Sequence, residues 1–161
     1  MPDSVRPEGF PDDAEFLSAF RSGTLPLAGF DHRAHVRAGY LYVTRHGLGL
    51  AIARFGRDLR AFAAAHGKHG LYHETITVAF LALINERIAL GAESGGGDRG
   101  WDSFAETNPD LFGRDSLAPF YAPEELAAPA ARRVFLLPRR RGTKQNRTSR
   151  RGEKARVDAA F

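Results

Sequence analysis

Apolar residues recur along this chain at intervals of three and four, the repeat of a helix with one buried face. In "PDDAEFLSAFRSGTL" Phe16, Leu17 and Phe20 share a face and Gly23 ends the run, which predicts a short helix. A second helix is predicted from Asp31 to His46, closed by Gly47, with the Asp31 carboxylate placed to accept from free N–H groups of the first turn. A third runs from Leu48 to Ala65 and ends at Gly67; its stripe Ile52, Phe55, Leu59, Phe62 has the spacing of a buried helical face. A fourth spans His73 to Leu90 and gives way to "GAESGGGDRG", the composition of a flexible loop. Beyond it come a short helix around "WDSFAETNP" and one or two proline-punctuated helices in "DSLAPFYAPEELAAPAARRVFLLP". Only "RRVFLLP" reads as a strand, and no segment repeats another. The expected class is all-α: a compact helical bundle on three long antiparallel helices, plus shorter C-terminal helices. Short links between consecutive helices favour antiparallel neighbours.

With 161 residues there is room for one domain with a real core, placed at 1–138. The remainder, 139–161, holds nine Lys or Arg and two acids, a net of +7, whereas 1–138 carries −3, so the tail alone makes the whole chain +4. High like charge without apolar periodicity predicts a disordered basic tail. The absence of cysteine excludes disulfides and any cysteine-ligated cofactor, so a metal would be held by His, Asp or Glu. No long uncharged apolar run suggests a membrane span, and the acidic, proline-bearing start is unlike a secretory signal, so the expected location is cytoplasmic.

Six histidines concentrate the candidate chemistry: His32, His35, His46, His66, His69 and His73. In an up-down-up layout, five of them gather at one end of the bundle and His46 goes to the other. On the second helix, the stripe Arg33, Arg37, Tyr40, Thr44 is expected to face water, which turns His32 and His35 inward. His73 shares a face with Thr77, Phe80 and Ile84. Imidazoles three residues apart on one helix lie close enough to converge on an ion, and a third from a neighbouring helix would complete a facial set. His32, His35 and His73 are therefore the candidate metal ligands, for iron, zinc or manganese. Glu74 is a candidate general base or outer partner, Tyr72 a further catalytic candidate, and Arg132 a candidate contact for an anionic substrate group. Two duller alternatives stand beside this one. One or two histidines are hydrogen-bonded core residues and the others are exposed, or they do acid–base work with Glu74 and no metal. The spacing lacks the H-E-x-x-H pattern of zinc proteases, and no phosphate loop, G-x-S-x-G elbow or dinucleotide fingerprint occurs.

"FDHRAHVRAGYLYV", "YHETITVAFLALI" and "FYAPEELAAPAARRVFLLP" together resemble a family of small bacterial helical proteins. Its pattern runs F-x-H-x-x-H, then Y-H-x-T-x-T, then Y-S-x-E-x-L-x-S-x-x-A-R before a proline. The resemblance covers roughly residues 10 to 138 and implies a shared architecture without an assigned reaction. The matching positions are Phe30, His32, His35, Tyr72, His73, Thr75, Thr77, Tyr121, Glu124, Leu126, Ala131 and Arg132; Ala122 and Ala128 stand where the pattern has serines.

Three functions follow as expectations. The first is a small-molecule enzyme with a mononuclear three-histidine metal site. The second is a metal or small-molecule binding or sensor domain without turnover. The third is nucleic-acid association through the tail, whose cations would contact phosphates without sequence preference. Against that third reading, the body is acidic and the tail has no aromatic residue before Phe161.

Overall fold

The computed structural model describes residues 12–95, 100–113 and 115–138. The expected disorder of 139–161 and the centre of the glycine-rich loop lie outside these residues. Within them the chain is helical, with no strand: α1 Asp13–Ser22, α2 His32–Ala65, α3 Glu74–Glu93, α4 Gly100–Thr107, α5 Pro123–Ala127 and α6 Pro129–Arg133. Short 3-10 turns at Leu27–Gly29 and Pro109–Phe112 join them. "RRVFLLP", the strand candidate, is the end of α6 followed by irregular chain.

The caps follow the sequence. The Asp12 carboxylate accepts from the Glu15 N–H at 2.7 Å, and that of Asp31 from the Ala34 N–H at 2.8 Å. Phe16, Leu17 and Phe20 are buried as their spacing predicts. Phe20 inserts into an aromatic cluster, with ring centroids 4.9 Å from Phe30, 5.3 Å from Phe62 and 5.9 Å from Phe55. A side chain buried this fully contributes about 1.5–3 kcal/mol, and that anchors so short a helix.

The second and third predicted helices are joined in α2, which is broken at Gly47. Its backbone (φ 70°, ψ 162°) lies outside the helical region, in a conformation that glycine alone adopts readily. The break reverses the chain. Twenty residues of straight helix would separate positions 35 and 55 by about 30 Å, yet the rings of His35 and Phe55 are 5.6 Å apart. The Tyr42 hydroxyl likewise donates to Asp58 at 2.5 Å. The arms 32–46 and 48–65 thus pack on each other, closed by Phe55, Leu59 and Phe62 of the predicted stripe, while Ile52 is only half-buried.

α3 lies against this hairpin, burying Val78, Leu81, Leu83 and Ile84. A Cβ at Gly39 would sit 3.1 Å from Ile84 Cδ1 and 3.3 Å from Leu81 Cδ2, so the missing side chain is what lets α2 and α3 approach. Among the described residues α3 is also the one helix long and apolar enough, by length and composition, to cross a membrane. Here its buried residues pack into the core while others, such as Leu90, stay exposed.

One expectation is corrected. The stripe Arg33, Arg37, Tyr40, Thr44 does not face water along its length: Arg37 is fully buried and Tyr40 is buried, while Arg33 and Thr44 stay exposed. The Arg37 guanidinium bonds Asp13 of α1 at 2.6 and 2.9 Å and lies 4.7 Å from the Phe16 ring centroid. Tyr40 packs on Phe104 of α4 at 4.6 Å. The first arm of α2 is covered on both sides, and a helical wheel with arginine on one face could not reveal that α1 supplies the balancing carboxylate.

Candidate functional site

The helix arrangement leaves a cavity of about 150 Å³ between the two arms of α2 and the first half of α3. His32 and His35 from the first arm, Phe55 and Leu59 from the second, and His73, Ile76, Thr77, Phe80, Leu81 and Ile84 at α3 line it, with Val36, Gly39 and Leu71. His32 and Leu71 are exposed, which puts them at the mouth. The three predicted imidazoles therefore border one cavity. His66 bonds back to the Phe62 carbonyl at 2.9 Å, His69 is exposed, and His46 sits beside Arg54 near the Gly47 break; none of these lines the cavity.

The imidazoles differ in what claims their nitrogens. His73 is the N-cap of α3: its Nδ1 accepts from the Ile76 N–H at 3.3 Å, and its Nε2 lies 2.8 Å from the Leu126 carbonyl oxygen. A carbonyl only accepts, so Nε2 carries the proton and Nδ1 the lone pair. Both nitrogens are spent. His32 Nε2 donates to the Leu111 carbonyl at 3.0 Å. No side-chain hydrogen bond is formed by His35 among the described residues. No fully buried side-chain nitrogen or oxygen there lacks a partner, so the unpaired nitrogens of His35 face open space rather than packed carbon. Phe30 and Phe55 hold its ring at 4.9 and 5.6 Å. Burial first, and then the neighbouring charge of His32, lower its pKa from 6.5 to about 4, so His35 is neutral at pH 7.

This hydrogen bonding does not fit a three-histidine metal centre. A ligating imidazole gives a lone pair to the ion, and the one lone pair of His73 caps α3. Among the described residues no group of three or more His, Asp or Glu is arranged to hold an ion.

The remaining candidates do not line the cavity, although the Tyr72 hydroxyl meets Thr77, which does. Glu74 accepts from Arg60 and from the Tyr72 hydroxyl, each at 2.8 Å, and Arg60 stacks 3.7 Å over the Tyr72 ring. Burial and the Glu74 hydrogen bond push the Tyr72 hydroxyl up to about 12, so it stays protonated at pH 7. Exposed Arg132 donates to the Gly70 carbonyl at 3.0 Å.

Thr75 and Tyr121, which match the pattern of the resemblance but carried no assigned role, organise this end of the fold. Buried Thr75 donates to the Val134 carbonyl at 2.9 Å and accepts from the Leu136 N–H at 3.1 Å. Tyr121 donates to the Leu136 carbonyl at 2.9 Å. With His73–Leu126 and Arg132–Gly70, these bonds fasten the C-terminal segment over the start of α3. Partners 15 to 62 residues apart leave no periodic signal. Ala122 and Ala128 prove to be the N-caps of α5 and α6. A serine at either position would serve as a helix cap. No protein-family model, curated protein or solved structure matches the chain.

Proposed function

We propose that the chain is a small-molecule-binding domain whose site is the cavity under His35. The two arms of α2 and α3 then act as three long helices of alternating direction, which bring residues 32, 35 and 73 to one cavity. The observation that carries this is a neutral imidazole without a side-chain hydrogen bond among the described residues, facing a space of about 150 Å³ with mostly apolar walls. Elsewhere in this core, polar side chains are paired as folding requires. A few polar groups converging on largely apolar space are the usual composition of a ligand site. Xenon provides the direct test, because it enters dry apolar cavities of this size. Xenon should perturb the NMR resonances of Leu59, Leu81 and Ile84, and no perturbation at saturating pressure would refute the site.

The metal-dependent enzyme remains as a second reading, favoured by the cavity that His32, His35 and His73 border. It needs His73 to release Ile76 and Leu126 before ligating. Elemental analysis of untagged protein beside His35→Ala decides it: stoichiometric metal lost on that substitution, with the fold intact, would replace the binding-domain proposal. Tail-mediated nucleic-acid binding concerns 139–161, outside the described residues.

A further inference from the structure

We propose that the cavity selects an uncharged, phenol-sized molecule carrying one hydroxyl, held by a hydrogen bond between that hydroxyl and the imidazole of His35. The proposal rests on the small-molecule reading above and adds the class of ligand.

Size comes first. A cavity of about 150 Å³ with largely apolar walls accommodates one benzene ring, so the ligand has about six to eight non-hydrogen atoms. Charge comes next. No Asp, Glu, Lys or Arg lines the cavity, and Val36, Phe55, Leu59, Leu81 and Ile84 present hydrocarbon. A carboxylate or ammonium would enter without an ion partner and lose its hydration uncompensated. The polar handle is the third constraint. Leu111 and Leu126 occupy one nitrogen each of His32 and His73, and Ile76 occupies the other of His73. His35 alone of the three has both nitrogens unclaimed among the described residues. A neutral imidazole offers one N–H and one lone pair. A hydroxyl answers whichever faces it, since it both donates and accepts, whereas a carbonyl answers only the N–H. The Phe30 and Phe55 rings hold the imidazole in place, so little freedom is lost on binding.

The test compares phenol, benzene and benzoate by NMR titration at pH 7, on the wild-type protein and on His35→Leu. Phenol and benzene should both bind the wild type, and only phenol should shift the His35 imidazole resonances. The phenol-to-benzene affinity ratio should fall about tenfold in His35→Leu, the effect of leaving a buried hydroxyl unpaired. Using the ratio cancels any general change in the cavity. If neither aromatic binds, the site itself is wrong and both proposals fall. If both bind but the ratio is unchanged and the imidazole is undisturbed, the site survives and the hydroxyl contact does not. Benzoate binding more tightly than phenol would overturn the uncharged class. Should His35→Leu fail to fold, the wild-type imidazole shifts decide alone.

Discussion

Two side chains on the first arm of α2, only two residues apart, are both drawn into the interior and meet opposite fates. Arg37 points toward α1, where Asp13 supplies a carboxylate and Phe16 an aromatic face. His35 points toward α3 and finds aromatic rings, a cavity and no side-chain hydrogen bond among the described residues. A buried polar group with its partners in place is part of the scaffold. One left open beside empty space costs stability and adds nothing to packing, and such costs collect at functional sites.

Removing partners from the scaffold side should do the most damage. Asp13→Ala removes the carboxylate that bonds the buried Arg37 guanidinium from α1 and should cost about 3 kcal/mol, the lower end for a broken buried pair because Asp13 keeps 30% exposure and Arg37 has further contacts. Urea unfolding measures it, and a loss below about 1 kcal/mol would show that Arg37 is held by other contacts.

On the cavity side the large effect should appear with pH. The folded pKa of His35, about 4, lies below its unfolded value of 6.5, so below pH 6.5 the unfolded chain takes up protons that the folded chain refuses. The neutral form's contribution is fully present above pH 6.5 and is lost as pH falls toward 4. Relative to His35→Leu, the wild type should lose up to about 3 kcal/mol over that window. Parallel stability curves for the two proteins would contradict it.

His73→Ala tests whether a second histidine of the same cavity belongs to the scaffold. It removes the α3 cap and strands the Leu126 carbonyl, which should cost about 2 kcal/mol while leaving xenon or phenol binding in place. Loss of binding with unchanged stability would return His73 to the site. The smallest effect should come from Ala122→Ser, which supplies the missing cap acceptor beside the existing bond from the Ala122 N–H to Glu125. It should stabilise by roughly 0.5–1 kcal/mol in thermal or urea unfolding, without altering the cavity.

The periodicity of Phe16, Leu17, Phe20, Phe55, Leu59 and Phe62 made the helices and much of the core legible, because burial writes itself into helical spacing. The sequence predicts that His32, His35 and His73 point at a common interior volume, and all three line one cavity. What each imidazole does there was not legible. The fates of His32 and His73 are set by the carbonyls of Leu111 and Leu126, 79 and 53 residues away, and every residue has a carbonyl. Arg37 was misread for a related reason: its partner belongs to an element whose docking direction no local pattern specifies.

The central claim is that His35, unlike His32 and His73, has no side-chain hydrogen bond among the described residues and faces a largely apolar cavity. The most direct measurement is a side-chain NMR titration of the histidines from pH 8 to pH 4. The His35 imidazole should remain neutral down to about pH 4. Protonation of that ring near its ordinary value of 6.5 would place it in water and contradict the account.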